Sequence, residues 1–262
     1  MAIKVSVLGG GSWGTAIADF LAKIGHETTL YVRDPKQKED MVSRGVNKKY
    51  LPHLKLSPKL ALTSDLDQAL GGRDILVLGV PSSASRGTLE AIKRAGAAPS
   101  LCLVNLAKGL EEETHLRMSQ VAQEVLPQVP FVSLSGPSHA EELAQEVPTA
   151  VVAASKDHKM AVEVQEIFTA DYFRVYTQDD LVAVEMGAAL KNIIALAVGL
   201  SDGLGYGDNT KAALMTRGMY EITKLGIQMG GRPQTFQGLS GMGDLIVTCT
   251  SMHSRNRRFG IA

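Results

Sequence analysis

Ile3-Lys4-Val5-Ser6-Val7-Leu8-Gly9-Gly10-Gly11-Ser12-Trp13-Gly14 is the stretch whose reading decides the fold. Its first half is apolar and rich in β-branched residues, which favours a strand. Its second half fits G-x-G-x-x-G, a weak pattern alone in a chain with 26 glycines among 262 residues. The flanks make it more specific. Apolar residues recur at Trp13, Ile17, Phe20, Leu21 and Ile24, the spacing of one helix face. Gly25 closes that helix, and residues 27–32 read as a second strand. Strand, glycine turn, helix and strand in this order is the setting in which such glycines bind a dinucleotide. Gly9 would make the tight turn, Gly11 would admit a pyrophosphate close to the backbone, and Gly14 would let helix and strand touch. The amides at the helix start supply the anion site. A glycine-rich turn with no ligand is the alternative.

Working outward, further strands are predicted at 75–80, 101–107, 131–134, 150–154 and 173–176, most of them separated by helical patterns. That alternation predicts a mainly parallel sheet with helices on both faces. After Tyr176 the texture changes. Thr177-Gln-Asp-Asp180 resembles a capping box, and the remainder is helix-forming with glycine punctuation, apart from a short strand-like run at 245–249. The expected organisation is a Rossmann-like α/β domain over 1–180 and an all-α domain over 181–262, with a cleft between them.

The 27 basic and 27 acidic residues balance, so no broad nucleic-acid or membrane-surface footprint is expected, and a bound anion must be held by a local cluster. Cys102 and Cys249 lie far apart, match no metal-ligand spacing and read as buried free thiols, in keeping with a reducing cytoplasm. A strand begins at once after Met1, leaving no room for a signal peptide. Gly199 and Asp202 break the apolar stretch after Lys191 too early for membrane insertion.

The second strand ends in Val32-Arg33-Asp34-Pro35. An acid there favours NAD, through the ribose 2′-hydroxyl, and an arginine favours NADP, through the 2′-phosphate. Both are present. Asp34 before Pro35 reads as a turn or cap, which leaves Arg33 to the phosphate and favours NADP over NAD.

Five segments could carry chemistry. Lys108, in Ala107-Lys108-Gly109, follows a strand and so lies at the ligand-binding edge of the sheet. Ser135-Gly136-Pro137-Ser138-His139-Ala140 is a small, turn-prone loop, in which His139 could donate a proton, although a lone histidine in a loop is more often structural. Lys191 stands on an otherwise apolar helix, either snorkelling to the surface or desolvated and able to pass a proton near neutral pH. Ser254-Arg255-Asn256-Arg257-Arg258 is either a solvated basic turn or a receptor for a phosphate monoester. Gly241-Met-Gly243-Asp244 suits a turn or a buried carboxylate that orients an ammonium.

Together these residues resemble the bacterial-type NAD(P)-dependent glycerol-3-phosphate dehydrogenases. The likeness is carried by Gly9-Gly-Gly-Ser-Trp-Gly-Thr-Ala16, Leu106-Ala-Lys108-Gly109, Ser135-Gly-Pro-Ser138, Gly187-Ala-Ala-Leu-Lys-Asn192, Gly241-Met-Gly-Asp244 and Ser254-Arg-Asn-Arg-Arg258, in order along the whole chain. The resemblance implies interconversion of dihydroxyacetone phosphate and sn-glycerol 3-phosphate, supplying glycerophospholipid synthesis, by a cytoplasmic homodimer. It implies that Ser12, Trp13, Arg33 and Ala140 contact the cofactor and that Lys108 serves both cofactor and substrate. Gly136 and Ser138 would line the substrate site, and Lys191 would transfer the proton. Asp244, Ser254, Arg255 and Asn256 would complete the pocket, with Arg255 also near the cofactor. Family members continue for several helices beyond the arginine cluster, including a glutamate that helps bind the cofactor, so the helical domain is expected to be incomplete here. A reductase of small keto or hydroxy acids and a non-catalytic dinucleotide sensor are the competing functions.

Overall fold

In the computed structural model, residues 2–96 and 99–262 are described. β1 (Lys4–Leu8) turns through Gly9 and Gly10 into α1 (Ser12–Lys23), and β2 (Glu27–Tyr31) follows. α2 (Pro35–Arg44) leads to a small antiparallel hairpin of β3 (Val46–Asn47) and β4 (Leu51–Lys55), then to β5 (Ala61–Thr63). α3 (Leu66–Leu70), β6 (Ile75–Leu78), α4 (Ser82–Arg94), β7 (Cys102–Asn105), α5 (Met118–Val125) and β8 (Phe131–Ser135) continue the alternation. α6 (Ala140–Ala144), β9 (Thr149–Ala154), α7 (His158–Phe168) and β10 (Phe173–Gln178) complete it. Five helices then follow: α8 (Leu181–Gly203), α9 (Asp208–Gln228), α10 (Pro233–Phe236), α11 (Asp244–Thr250) and α12 (Arg255–Ile261), with a π-helical turn at Leu239–Gly243.

The main sheet has the order β10-β9-β8-β7-β6-β1-β2-β5. Its pairings are parallel except β8 with β9, so β9 and β10 run against the other six strands. One face is covered by α1 and α7, where Ile17, Phe20, Leu21, Val164 and Phe168 pack with Val5 and Val7. The other is covered by α4 and α5 through Leu89, Ile92, Val121 and Ala122. A separate cluster joins Met186, Ala195, Met219, Ile222, Phe236, Leu245 and Cys249 among the later helices. This is the mainly parallel Rossmann-like sheet followed by helices that the sequence predicts. Cys102 and Cys249 are both buried and free, as expected.

Four details differ from the sequence expectation. The run at 245–249 is helical, in α11, and not a strand. A short apolar run reads equally well either way; here the later helices offer no strand for it to pair with, and Leu245, Thr248 and Cys249 bury one helical face. The cap of α8 is Asp180 alone, its carboxylate accepting from the Ala183 amide, while Thr177 belongs to β10. The hairpin and β5 are too short and polar to show alternation; Pro52 and His53 point outward in β4. Finally, α8 is long and apolar enough to cross a membrane by length and composition, despite Gly199 and Asp202. Its buried face carries Glu185 and Lys191.

Candidate active site

The glycine turn has the shape its motif requires. Gly9 adopts φ +131°, and a Cβ there would lie 2.5 Å from the Gly79 carbonyl oxygen. A Cβ on Gly14 would lie 2.1 Å from the Gly9 oxygen, so only glycine lets α1 start this close to β1. Gly11 differs, because a Cβ there would meet nothing within 4 Å. Its side faces open space, where an anion can approach the backbone. Among the described residues, the amides of Gly11, Ser12 and Trp13 donate to no protein acceptor. This cradle of free donors at the start of a 12-residue helix fits a dinucleotide pyrophosphate. Arg33 is exposed at the end of β2, and the Asp34 carboxylate caps α2 by accepting from the Lys36 amide at 3.0 Å. Asp34 is therefore the cap expected of it.

Lys108 reaches its place through β7. Asn105, fully buried at the end of that strand, donates to the Ala107 carbonyl at 3.0 Å and accepts from the Ala107 amide at 3.2 Å. The turn so formed delivers Lys108 across the sheet edge. Its Nζ donates to the Gly136 carbonyl at 2.9 Å and to Ser138 Oγ at 3.4 Å. Gly136 has φ +147°, and its Cβ would meet the Val151 Cα at 3.0 Å, so the loop after β8 closes tightly over β9.

From the opposite side α8 brings Lys191, only 5 % exposed. One turn earlier, Gly187 lets α8 press onto the π-helical turn, where a Cβ would lie 3.0 Å from the Ser240 oxygen. Gly241 is tighter still, with its Cβ position 2.1 Å from the Phe236 oxygen. These contacts set Asp244, at the start of α11 and 1 % exposed, between the two lysines. Asp244 Oδ1 lies 2.5 Å from Lys191 Nζ, and Oδ2 lies 2.9 Å from Lys108 Nζ. Lys191 also donates to Thr248 Oγ1 at 2.7 Å, and that hydroxyl donates to the Asp244 carbonyl at 2.6 Å. Asn192 Nδ2 donates to the Lys108 carbonyl at 3.4 Å. Burial, reinforced by the neighbouring charge of Lys108 and opposed by Asp244, lowers the Lys191 pKa to about 7. Of the two readings open for Lys191, snorkelling and desolvation, the structure has the second. Asp244 is likewise the buried carboxylate and not a simple turn residue.

The arginine cluster divides. Arg257 turns inward and donates to Asp202 from both Nε, at 3.0 Å, and Nη2, at 2.6 Å. Ser254 is buried, and its Oγ caps α12 by accepting from the Arg257 amide at 3.2 Å. Arg255 and Asn256 stay exposed at the head of α12. The His139 and His253 rings lie 5.5 Å apart, which brings this segment against the loop that holds Gly136, Ser138 and Ala140. Burial lowers the His139 pKa. Thr248 and Asn105 have no reading in the sequence, and Asp202 is read there only as a break in an apolar stretch. Thr248 stands four residues after Asp244, a spacing that signals contact only once 245–249 is known to be helical.

Two family models match the chain: the N-terminus of NAD-dependent glycerol-3-phosphate dehydrogenase over residues 4–161, and the C-terminus of the same family over residues 180–262. The chain is 54% identical over 259 residues to a glycerol-3-phosphate dehydrogenase [NAD(P)+] of Thermoanaerobacter sp. (strain X514), covering 99% of this chain and 78% of the relative. It is 53% identical over 259 residues to the protein of that name from Desulfitobacterium hafniense (strain Y51), covering 99% and 73%. The crystal structure of glycerol-3-phosphate dehydrogenase from Coxiella burnetii superposes with a TM-score of 0.95 at 38% identity, covering all of this chain and 80% of that one. With both halves of the chain matched in order, and with a glycine cradle and a Lys191–Asp244–Lys108 group both present, the chain belongs to the NAD(P)-dependent glycerol-3-phosphate dehydrogenase family.

Proposed function

We propose that this protein reduces dihydroxyacetone phosphate to sn-glycerol 3-phosphate, and catalyses the reverse reaction, using NADPH in preference to NADH. The observation that carries the reading is the buried Lys191 and the half-buried Lys108 sharing the one buried carboxylate of Asp244, in a chain that also holds a dinucleotide cradle. Residues 1–180 would hold the cofactor, through Gly9, Gly11, Ser12, Trp13, Gly14, Arg33 and Ala140. Residues 181–262 would supply Lys191 and most of the substrate pocket.

The nicotinamide supplies the hydride in reduction and accepts it in oxidation. As C2 of the substrate is reduced, negative charge grows on its carbonyl oxygen. Lys191, with a pKa near neutrality, gives that oxygen a proton, and as the free amine takes the proton back in the reverse direction. Lys108 stabilises the growing charge from the other side and bridges substrate and cofactor. Asp244 holds both ammonium groups in place, and Thr248 fixes the direction of Nζ on Lys191. Arg255 and Asn256, free at the head of α12, grip the phosphate, with the Ser254 hydroxyl, Gly136 and Ser138 lining the rest.

The preference for NADPH rests on Arg33 standing exposed while Asp34 is engaged as a cap. The same reading makes the protein a cytoplasmic homodimer that supplies glycerol 3-phosphate to glycerophospholipid synthesis, with α8 a core helix and not a membrane span. The keto- or hydroxy-acid reductase and the dinucleotide sensor find no support among relatives of this identity.

The test is absorbance at the reduced-nicotinamide band with dihydroxyacetone phosphate, comparing NADPH with NADH. Substrate-dependent decay, faster with NADPH, is expected. Cofactor binding without any decay would overturn the catalytic reading, and equal rates would overturn the preference.

A further inference from the structure

The carbonyl of Gly10, in the middle of the glycine turn, accepts two side-chain hydrogen bonds from elements that the fingerprint does not include. Gln37 Nε2, on α2, donates to it at 2.8 Å. Asn47 Nδ2, on β3 of the small hairpin, donates to it at 3.0 Å. The second hydrogen of the Asn47 amide goes to Thr15 Oγ1 on α1, at 2.8 Å, and both residues are fully buried. Asn47 Oδ1 has no partner among the described residues, so the side chain is held in place entirely by what its amide nitrogen donates. A buried acceptor left without a bond is costly, and a well-packed apolar residue would avoid that cost. Its presence here calls for a role that donation alone performs.

Peptide geometry supplies one. All the peptide bonds described are trans, so the N–H of Gly11 points opposite to the carbonyl of Gly10. Two donors on the protein side of that carbonyl fix the plane of the peptide and direct the Gly11 amide outward. Gly11 is the glycine whose side is open, and its amide donates to no protein acceptor among the described residues. A peptide with glycine on both sides has wide conformational freedom, and without a clamp the amide would have to be ordered each time an anion bound.

We propose that Gln37 and Asn47 are positioning residues for the cofactor, which clamp the Gly10 carbonyl and so aim the Gly11 amide at the dinucleotide pyrophosphate. The inference rests on the cofactor site proposed above. It gives the hairpin a function: β3 brings Asn47 beneath the turn, and α2 brings Gln37 to the same oxygen.

The experiment titrates the full chain with NADPH by fluorescence and measures KM and kcat alongside, for wild type, Gln37→Ala, Gln37→Glu and Asn47→Ala. Each Gln37 variant is expected to weaken NADPH binding by about threefold to tenfold, and Asn47→Ala by about tenfold or more, the effect of losing one hydrogen bond or a shared pair. The KM for dihydroxyacetone phosphate and kcat at saturating NADPH should stay within about twofold of wild type. Gln37 is half-buried, so its variants test the clamp even if Asn47→Ala does not fold. Unchanged NADPH affinity in folded Gln37 variants would overturn the clamp and leave the cofactor site standing. An equal loss in the KM values for both substrates would also overturn it, by showing a general structural role. Wild-type protein that bound neither NADPH nor NADH would overturn the site and the clamp together.

Discussion

Lys191 Nζ lies 2.5 Å from Asp244 Oδ1 in a pocket where both side chains are almost wholly buried, 53 residues apart in sequence. The pair alone would hold the lysine charged. Burial and the second cation, Lys108, oppose that and leave Lys191 poised near neutrality. Lys191→Ala is therefore expected to lower kcat by about 10²- to 10⁴-fold, the range for losing a positioned acid or base, with little change in cofactor affinity. Wild-type turnover in this variant would remove Lys191 from the mechanism.

The pH dependence follows with a definite sign. If Lys191 is the proton donor proposed above, reduction needs its protonated form, and kcat/KM in that direction should fall as pH rises through about 7. Oxidation needs the free amine and falls as pH drops through the same region. Asp244 raises the Lys191 pKa, so residual activity in Asp244→Asn should show its reductive limb displaced to lower pH. A limb that stayed in place, measured by pH–rate profiles in both directions, would show that another group titrates.

Arg255 stands exposed while Arg257, two residues on, is paired with Asp202, so the two are expected to respond differently to substitution. Arg255→Ala should raise the KM for dihydroxyacetone phosphate by about tenfold to a hundredfold, the loss of a charge-assisted phosphate contact. Arg257→Ala breaks the Asp202 pair that ties α12 to α8, and should lower Tm by about 2–4 °C with a smaller effect on KM. Steady-state kinetics and thermal melts of both variants separate the roles; a reversed pattern would exchange them.

Arg33→Ala should weaken NADPH by about tenfold or more while NADH changes little, because only NADPH carries the 2′-phosphate. Parallel losses for both cofactors, measured by titration, would mean that Arg33 does not read that phosphate.

Glu185, on α8, accepts from Arg117 Nη1 at 2.6 Å and from the Ser119 amide at 2.7 Å, joining α8 to α5. Burial raises its pKa. Arg117→Met leaves a buried carboxylate without its cation and should cost about 3–5 kcal/mol in urea unfolding. With the folded pKa above 4.5, the folded form of that variant holds the proton more tightly, so its stability should fall further as pH rises above about 4.5. Adding Glu185→Leu should recover much of the loss. A double variant no more stable than the single one would show that the pair does not act as a unit.

Much of this molecule was legible in residue order. Strand, glycine turn and helix at residues 3–24 are local patterns, because the conformation that Gly9 and Gly14 permit depends on near neighbours. The cap at Asp34 follows from the next residue, Pro35. Lys191, Lys108 and the arginine cluster stood out because their side chains sit in unexpected company, and the resemblance then tied them together. The readings that failed turned on distant partners. Whether residues 245–249 formed a strand or a helix depended on what lay beside them, so Thr248 could not be placed on Lys191. The hairpin that carries Asn47 is too short for any periodicity to register. Asp202 captures Arg257 from 55 residues away, which periodicity cannot foresee. Local sequence determined most of the elements and which groups could react. Tertiary structure decided their protonation and pairing, because burial and the placing of one carboxylate between two lysines exist only once distant segments pack together.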